Sequence, residues 1–139
     1  MTGLAAVLLR AGLAVLALIA AVQGAWMYLA PRSFYDHAPT VSASGPYSEH
    51  LMSDTGGLNL AMAVILGCAA AWADRRLTRA ALAGYLVYAV SHLVFHLTHL
   101  TGMTASSVAF LIAVQSLLPA IAVALLLTTG MRRRRRSSG

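Results

Sequence analysis

The chain has 139 residues, of which 59% are apolar and 10% charged, with a formal net charge of +6 at neutral pH and a mean hydropathy of +0.74. Soluble domains usually carry about 25% charged residues, so the composition excludes an ordinary soluble domain and predicts a membrane protein. All ten basic residues are arginines, half of them in the terminal run 132–136, and no basic face is interleaved with aromatics. We therefore do not expect a nucleic-acid partner.

Four apolar segments each have about the 17–25 residues needed to cross the hydrocarbon core of a bilayer. They predict an all-α fold, an integral membrane four-helix bundle formed by residues 1–130 and followed by a basic tail at 131–139. The predicted helices cover about 4–29, 56–72, 80–100 and 106–128.

The arginines predict how the bundle is oriented in the membrane. Arg10, the trio in "ADRRLTR" and the terminal run all fall on one side of a chain that crosses four times, and only Arg32 falls on the other. By the positive-inside rule, both termini are expected to be cytoplasmic in a multi-pass protein of the cell (inner or plasma) membrane. The long 30–55 connection, rich in proline and aromatic residues, is then expected to be an ordered extracytoplasmic loop.

The third apolar segment contains "YLVYAVSHLVFHLTHL", residues 85–100, with three of the five histidines of the chain. On a helix, its polar side chains fall within a sector of about 80°, and lipid cannot satisfy them. This stripe is therefore predicted to face the interior of the bundle. Its members are Tyr85, Tyr88, His92, His96 and His99.

A second polar group lies at the predicted outer end of the second helix. His50 and Asp54 are four residues apart and share one face of a helix, whereas Glu49 lies about 100° from His50. Histidine and carboxylate ligands projecting into a helix bundle are typical of metal sites. The sequence predicts a site for zinc or a transition metal such as iron or copper at His50, Asp54, His92, His96 and His99, with Glu49, Tyr85 and Tyr88 as secondary candidates.

Two classes of function are compatible with such a site. One is a metal-dependent membrane hydrolase or oxidoreductase that acts on a lipidic or small apolar substrate. The other is a non-catalytic metal or haem binding and handling protein, or an accessory subunit of a larger membrane complex. A contact to haem or a quinone, and a polar network without metal, are less favoured readings of the same residues. Membrane lipid is an expected partner, a homo-oligomer is compatible with the pattern, and the sequence does not identify a catalytic residue.

The segments "PRSFYDHAP", "GPYSEHLMSDTGGLNLA" and "SHLVFHLTHL" resemble those of small four-helix membrane proteins of actinobacteria with a layout similar to DoxX. This resemblance implies a compact four-helix fold and no particular activity. The H-x3-H-x2-H pattern of the third helix is similar to half of the histidine set of membrane desaturases and hydroxylases. Combined with an aspartate and a histidine from another helix, it is also similar to the site of membrane ceramidase-like zinc hydrolases, which have a different fold.

Overall fold

The computed structural model describes the backbone of residues 3–136 and the side chains of residues 3–129, and the regular secondary structure of these residues is all α-helix. Four of its helices are long and apolar enough to cross a membrane, as the sequence predicted, so the fold is that of a multi-pass membrane protein. The helices are α1 (Gly3–Leu29), α2 (Pro31–His37), α3 (Glu49–Trp72), α4 (Arg75–Thr98) and α5 (Ala105–Arg136).

Two of the long helices begin earlier than hydropathy predicts, because polar residues cap them. The Ser48 hydroxyl accepts a hydrogen bond from the Leu51 amide at 3.3 Å, so α3 begins at Glu49 and not near residue 56. Asp74 accepts one from the Leu77 amide at 2.8 Å and starts α4. The predicted loop at 30–55 is shortened accordingly.

The last helix also departs from its predicted bounds. Helix α5 runs through Pro119 and continues to Arg136, so the residues predicted as a separate tail begin as a continuation of this helix. The rest of the predicted tail, 137–139, lies outside the described residues.

The four long helices form a bundle in which each contacts its two neighbours. Helix α1 packs most extensively on α3, and α4 on α5, while α3–α4 and α1–α5 contacts close the ring. Within the described part of the chain, no Cα atoms of the diagonal pairs, α1 with α4 and α3 with α5, come within 8 Å of each other. The short α3–α4 and α4–α5 connections make consecutive helices antiparallel neighbours.

One apolar cluster fills the middle of the bundle. Four leucines on three helices are almost completely buried there: Leu13, Leu16, Leu66 and Leu82. Other large apolar side chains, such as Leu18, Val64 and Val87, are at least half exposed on the outer faces. In a membrane this outer apolar surface is the surface that contacts lipid.

Helices α1 and α3 approach each other at Gly24 and Gly56. A Cβ added at Gly56 would lie 2.7 Å from the backbone nitrogen of Tyr28 and 3.0 Å from the Gly24 carbonyl oxygen. Backbone atoms cannot move aside independently, so only glycine fits at this crossing. Small residues that bring two backbones together are a common basis of helix association in membranes.

The connection between α1 and α3 is held by specific contacts. Phe34 of α2 is buried against Met27, and the Trp26 indole donates to the Ser33 hydroxyl at 3.2 Å. The Tyr35 hydroxyl donates to the Gly45 carbonyl oxygen at 2.8 Å. These contacts place the 31–48 segment against the same end of the bundle as the start of α3.

Arg32 joins the two parts of this connection. It donates to Asp36 at 2.8 Å, and its guanidinium lies 5.1 Å from the centre of the Tyr47 ring. The hydrogen bond to Asp36, and then the attraction of its charge, raise the pKa of Arg32 above its ordinary value. The pair is exposed, so its contribution to stability is small.

Candidate metal centre

The centre of the candidate site is the pair His92 and His96, one turn apart on α4. Their Nε2 atoms lie 3.2 Å apart, and the two ring planes are nearly perpendicular, at 87°. His96 is only 8% exposed, and His92 is half-buried. The predicted spacing therefore brings two imidazole nitrogens together.

Aromatic and amide groups surround the pair. Tyr88 stacks on the His92 ring with centroids 5.7 Å apart, and its hydroxyl accepts a hydrogen bond from the Asn59 amide of α3 at 3.3 Å. Asn59 is itself buried, and its amide also contacts the Thr55 carbonyl oxygen at 2.9 Å. The stripe predicted on α4 thus reaches α3 through Tyr88, a secondary candidate. Tyr85, the other tyrosine of the stripe, is packed in the apolar core.

His99 does not join the other two histidines. Helix α4 ends at Thr98, and His99 occupies its C-cap with the side chain exposed. Its ring stacks on Phe95 at 4.2 Å, and Nδ1 lies 2.8 Å from the Phe95 carbonyl oxygen. A donor at this position adds a hydrogen bond to one of the last carbonyls of the helix, which also accepts from the Thr98 hydroxyl at 2.9 Å. His99 therefore stabilises the helix end.

His50 and Asp54 lie on one face of α3 and pair with each other. The His50 Nε2 atom lies 3.3 Å from the Asp54 carboxylate, and the side chains are 90% and 66% exposed. Glu49, in the first turn of the same helix, is also exposed. This second polar group lies on the outer surface of the bundle and not in its interior.

This second group lies at the level of the histidine pair along the bundle but on another face of α3. Asn59 of α3 contacts Tyr88 of α4. His92 and His96 lie about 6 and 12 Å beyond Tyr88 along α4, which places them beside the first turns of α3. Around the axis of α3, however, Asp54 lies about 140° and His50 about 180° from Asn59. His50 and Asp54 are therefore at the level of the histidine pair and face away from α4.

The described residues consequently contain no group of three or more His, Cys, Asp or Glu side chains close enough to hold one ion. A site made of all five predicted ligands stays a prediction, and it would require α3 to turn by roughly 140–180° about its axis. The glycine crossing with α1 opposes such a turn, because only Gly56 fits against the backbone of α1.

The geometry of the histidine pair is compatible with metal binding. With zinc–nitrogen bonds of about 2.0–2.1 Å, two nitrogens 3.2 Å apart give an angle at the metal of about 100–106°, close to tetrahedral. The same distance also fits a hydrogen bond in which one Nε2–H donates to the other ring. In that arrangement the buried Nδ1 of His96 keeps no hydrogen-bond partner among the described residues.

Some residues that organise the site give a weak signal in the sequence. An asparagine in an apolar segment predicts a hydrogen bond to another helix, but hydropathy does not reveal that the partner of Asn59 is Tyr88. The "DTGGLN" stretch contains two adjacent glycines, and nothing in the letters shows which of them faces α1.

The chain matches no protein-family model, no curated protein and no solved structure. The similarity to DoxX-like proteins therefore stays a prediction.

Proposed function

We propose that this chain is a membrane metalloprotein in which His92 and His96 bind a zinc or transition-metal ion. The observation that carries the proposal is the 3.2 Å approach of two Nε2 atoms at a buried position of an apolar helix. Ionisable groups inside membrane segments are costly and are usually functional. His96 also retains one buried nitrogen, Nδ1, without a partner among the described residues. An ion bound to Nε2 would fix the proton on Nδ1 and leave that nitrogen as a donor for a further group.

The enzyme form of this proposal acts on a lipidic or small apolar substrate. Support comes from the surface beside the pair, where Val94 and Phe95 are about half exposed on the outer face of α4. An apolar substrate dissolved in the bilayer would reach the histidines along this surface. An ion with an open position would activate water there or bind an oxidant. The non-catalytic form, a metal-handling protein or subunit, uses the same two ligands and needs no exchangeable water.

Cobalt binding tests the proposal, because tetrahedral Co²⁺ with imidazole ligands absorbs visible light. We expect purified wild type in detergent to develop such bands at one equivalent of Co²⁺, and the variant with both His92→Ala and His96→Ala to develop none. The matched control is His50→Ala with His99→Ala, which removes two exposed histidines. Identical spectra for the two double variants would reject the assignment of the ligands.

We further propose that the arginine-bearing end of the bundle is cytoplasmic, so that the metal centre lies toward the extracytoplasmic face. The support is that Arg10, the start of α4 and the end of α5 meet at one end of the bundle. A reporter enzyme active only outside the cytoplasm should be inactive when fused after Gly139 and active when inserted at Gly45. The reverse pattern would show that the orientation is wrong.

A further inference from the structure

The arginine-bearing end of the bundle has a partly open cavity of about 280 Å³, at the end opposite to the histidine pair. It lies where the first turns of α1, the α3–α4 turn and the end of α5 meet. Its polar lining consists of Arg10, Arg75, Thr78 and Thr129. The volume is near the lower end of the range of about 300–1,000 Å³ that is typical of small-molecule sites.

Two of these lining residues have buried polar atoms without partners. Thr78 is 1% exposed, and its hydroxyl has no hydrogen-bond partner among the described residues. Other helical hydroxyls of the chain bond to a carbonyl one turn back, as Thr98 does to Val94 at 3.0 Å. The Nε and Nη2 atoms of Arg75 are also buried and, within the described part of the chain, unpaired. Donors buried in this way are costly, most of all on a charged group.

The charge at this end of the bundle is not balanced. Among the described side chains, four arginines lie at this end, Arg10, Arg75, Arg76 and Arg79, and Asp74 is the acidic residue beside them. The Asp74 carboxylate caps α4 through the Leu77 amide. Neither of the two ion pairs found among the described side chains involves Arg75. The N-terminus of α4, a helix of 24 residues, adds partial positive charge.

We propose that this cavity binds a phosphate-type oxyanion, either the headgroup of an anionic phospholipid or a free phosphate ion. The oxyanion accepts hydrogen bonds from the Arg75 guanidinium and the Thr78 hydroxyl, which supplies the partners that both groups lack. Guanidinium groups bind phosphate oxygens in a bidentate manner. Arg10, which is exposed on α1, contributes further positive charge at the lipid-facing side. The inference does not depend on the metal centre.

The test measures thermal unfolding of the full-length protein in a nonionic detergent. One arm adds phosphatidylglycerol, with phosphatidylcholine as the reference, and the other adds inorganic phosphate, with chloride at equal ionic strength as the reference. We expect wild type to be stabilised in at least one arm. Arg75→Gln should need about tenfold more phosphatidylglycerol or phosphate, or a still larger excess, to be stabilised as much as wild type, because the substitution removes a hydrogen-bonded charge. Arg76→Gln is the matched control, since it makes the same charge change at the adjacent, exposed residue.

Stabilisation by phosphatidylglycerol alone identifies a lipid headgroup, and stabilisation by phosphate identifies a free anion, and either supports the site. If wild type responds in neither arm, or if Arg75→Gln and Arg76→Gln weaken the response equally, the proposal is overturned. Thr78→Val preserves the shape of the side chain and removes the hydroxyl. It is the variant to measure if Arg75→Gln does not fold. A response of Thr78→Val equal to that of wild type overturns the proposal as well.

Discussion

Replacing His96 with alanine is expected to lower the affinity of the purified protein for Zn²⁺ by about 10–100-fold or more. Loss even of a residue that only orients a metal ligand costs about 10–100-fold, and His96 is proposed to be a ligand itself. The remaining imidazole, His92, would hold the ion alone. Competition against a coloured zinc chelator measures the affinity, and circular dichroism verifies that the variant keeps its helices.

His99→Ala is the control for this experiment, since it removes a histidine from the same end of α4. His99 caps the helix and stacks on Phe95, so its loss should leave the zinc affinity close to that of wild type. His92→Ala should reproduce the loss caused by His96→Ala. An unchanged affinity in His96→Ala would contradict the proposal, and equal losses in His96→Ala and His99→Ala would contradict the choice of ligands.

Replacing Gly56 with alanine is expected to destabilise the bundle by about 1–3 kcal/mol, the usual cost of adding volume to a tightly packed interface. The new methyl group would lie 2.7 Å from the Tyr28 backbone nitrogen, so α1 and α3 would have to move apart. Reversible unfolding in mixed micelles of SDS and a mild detergent measures the change.

Gly57→Ala is the matched control, because it makes the same chemical change one residue further along. A Cβ at Gly57 meets no atom within 4 Å. Alanine also has a higher helix propensity than glycine, by about 1 kcal/mol, so this variant should be unchanged or more stable. If the two variants unfolded alike, the close approach of α1 and α3 at Gly24 and Gly56 would not be a determinant of stability.

Hydropathy predicted the number and approximate positions of the membrane helices, because a bilayer imposes length and composition on anything that crosses it. It misplaced the starts of α3 and α4, where Ser48 and Asp74 cap polar first turns. Such turns lie outside any apolar window, so only the capping residues mark them.

The site was predictable within one helix and less so between helices. The spacing of His92 and His96 fixes their relation, since one helical turn separates them. The relation of α3 to α4 also depends on how α3 is turned about its axis. That angle is set by the contact of Gly56 with α1, and a single glycine in a sequence does not reveal its partner. For this reason the sequence could not show that His50 and Asp54 lie at the level of the histidine pair but on another face of α3.

Elemental analysis of the purified wild-type protein tests the central claim most directly. The protein would be isolated from membranes without added metal or chelator, and its metal content compared with that of the variant carrying His92→Ala and His96→Ala. We predict close to one zinc or transition-metal ion per chain in wild type and a strong depletion in the variant. A wild-type protein without stoichiometric metal, even after incubation with Zn²⁺, Co²⁺, Fe²⁺ and Cu²⁺, would contradict the account.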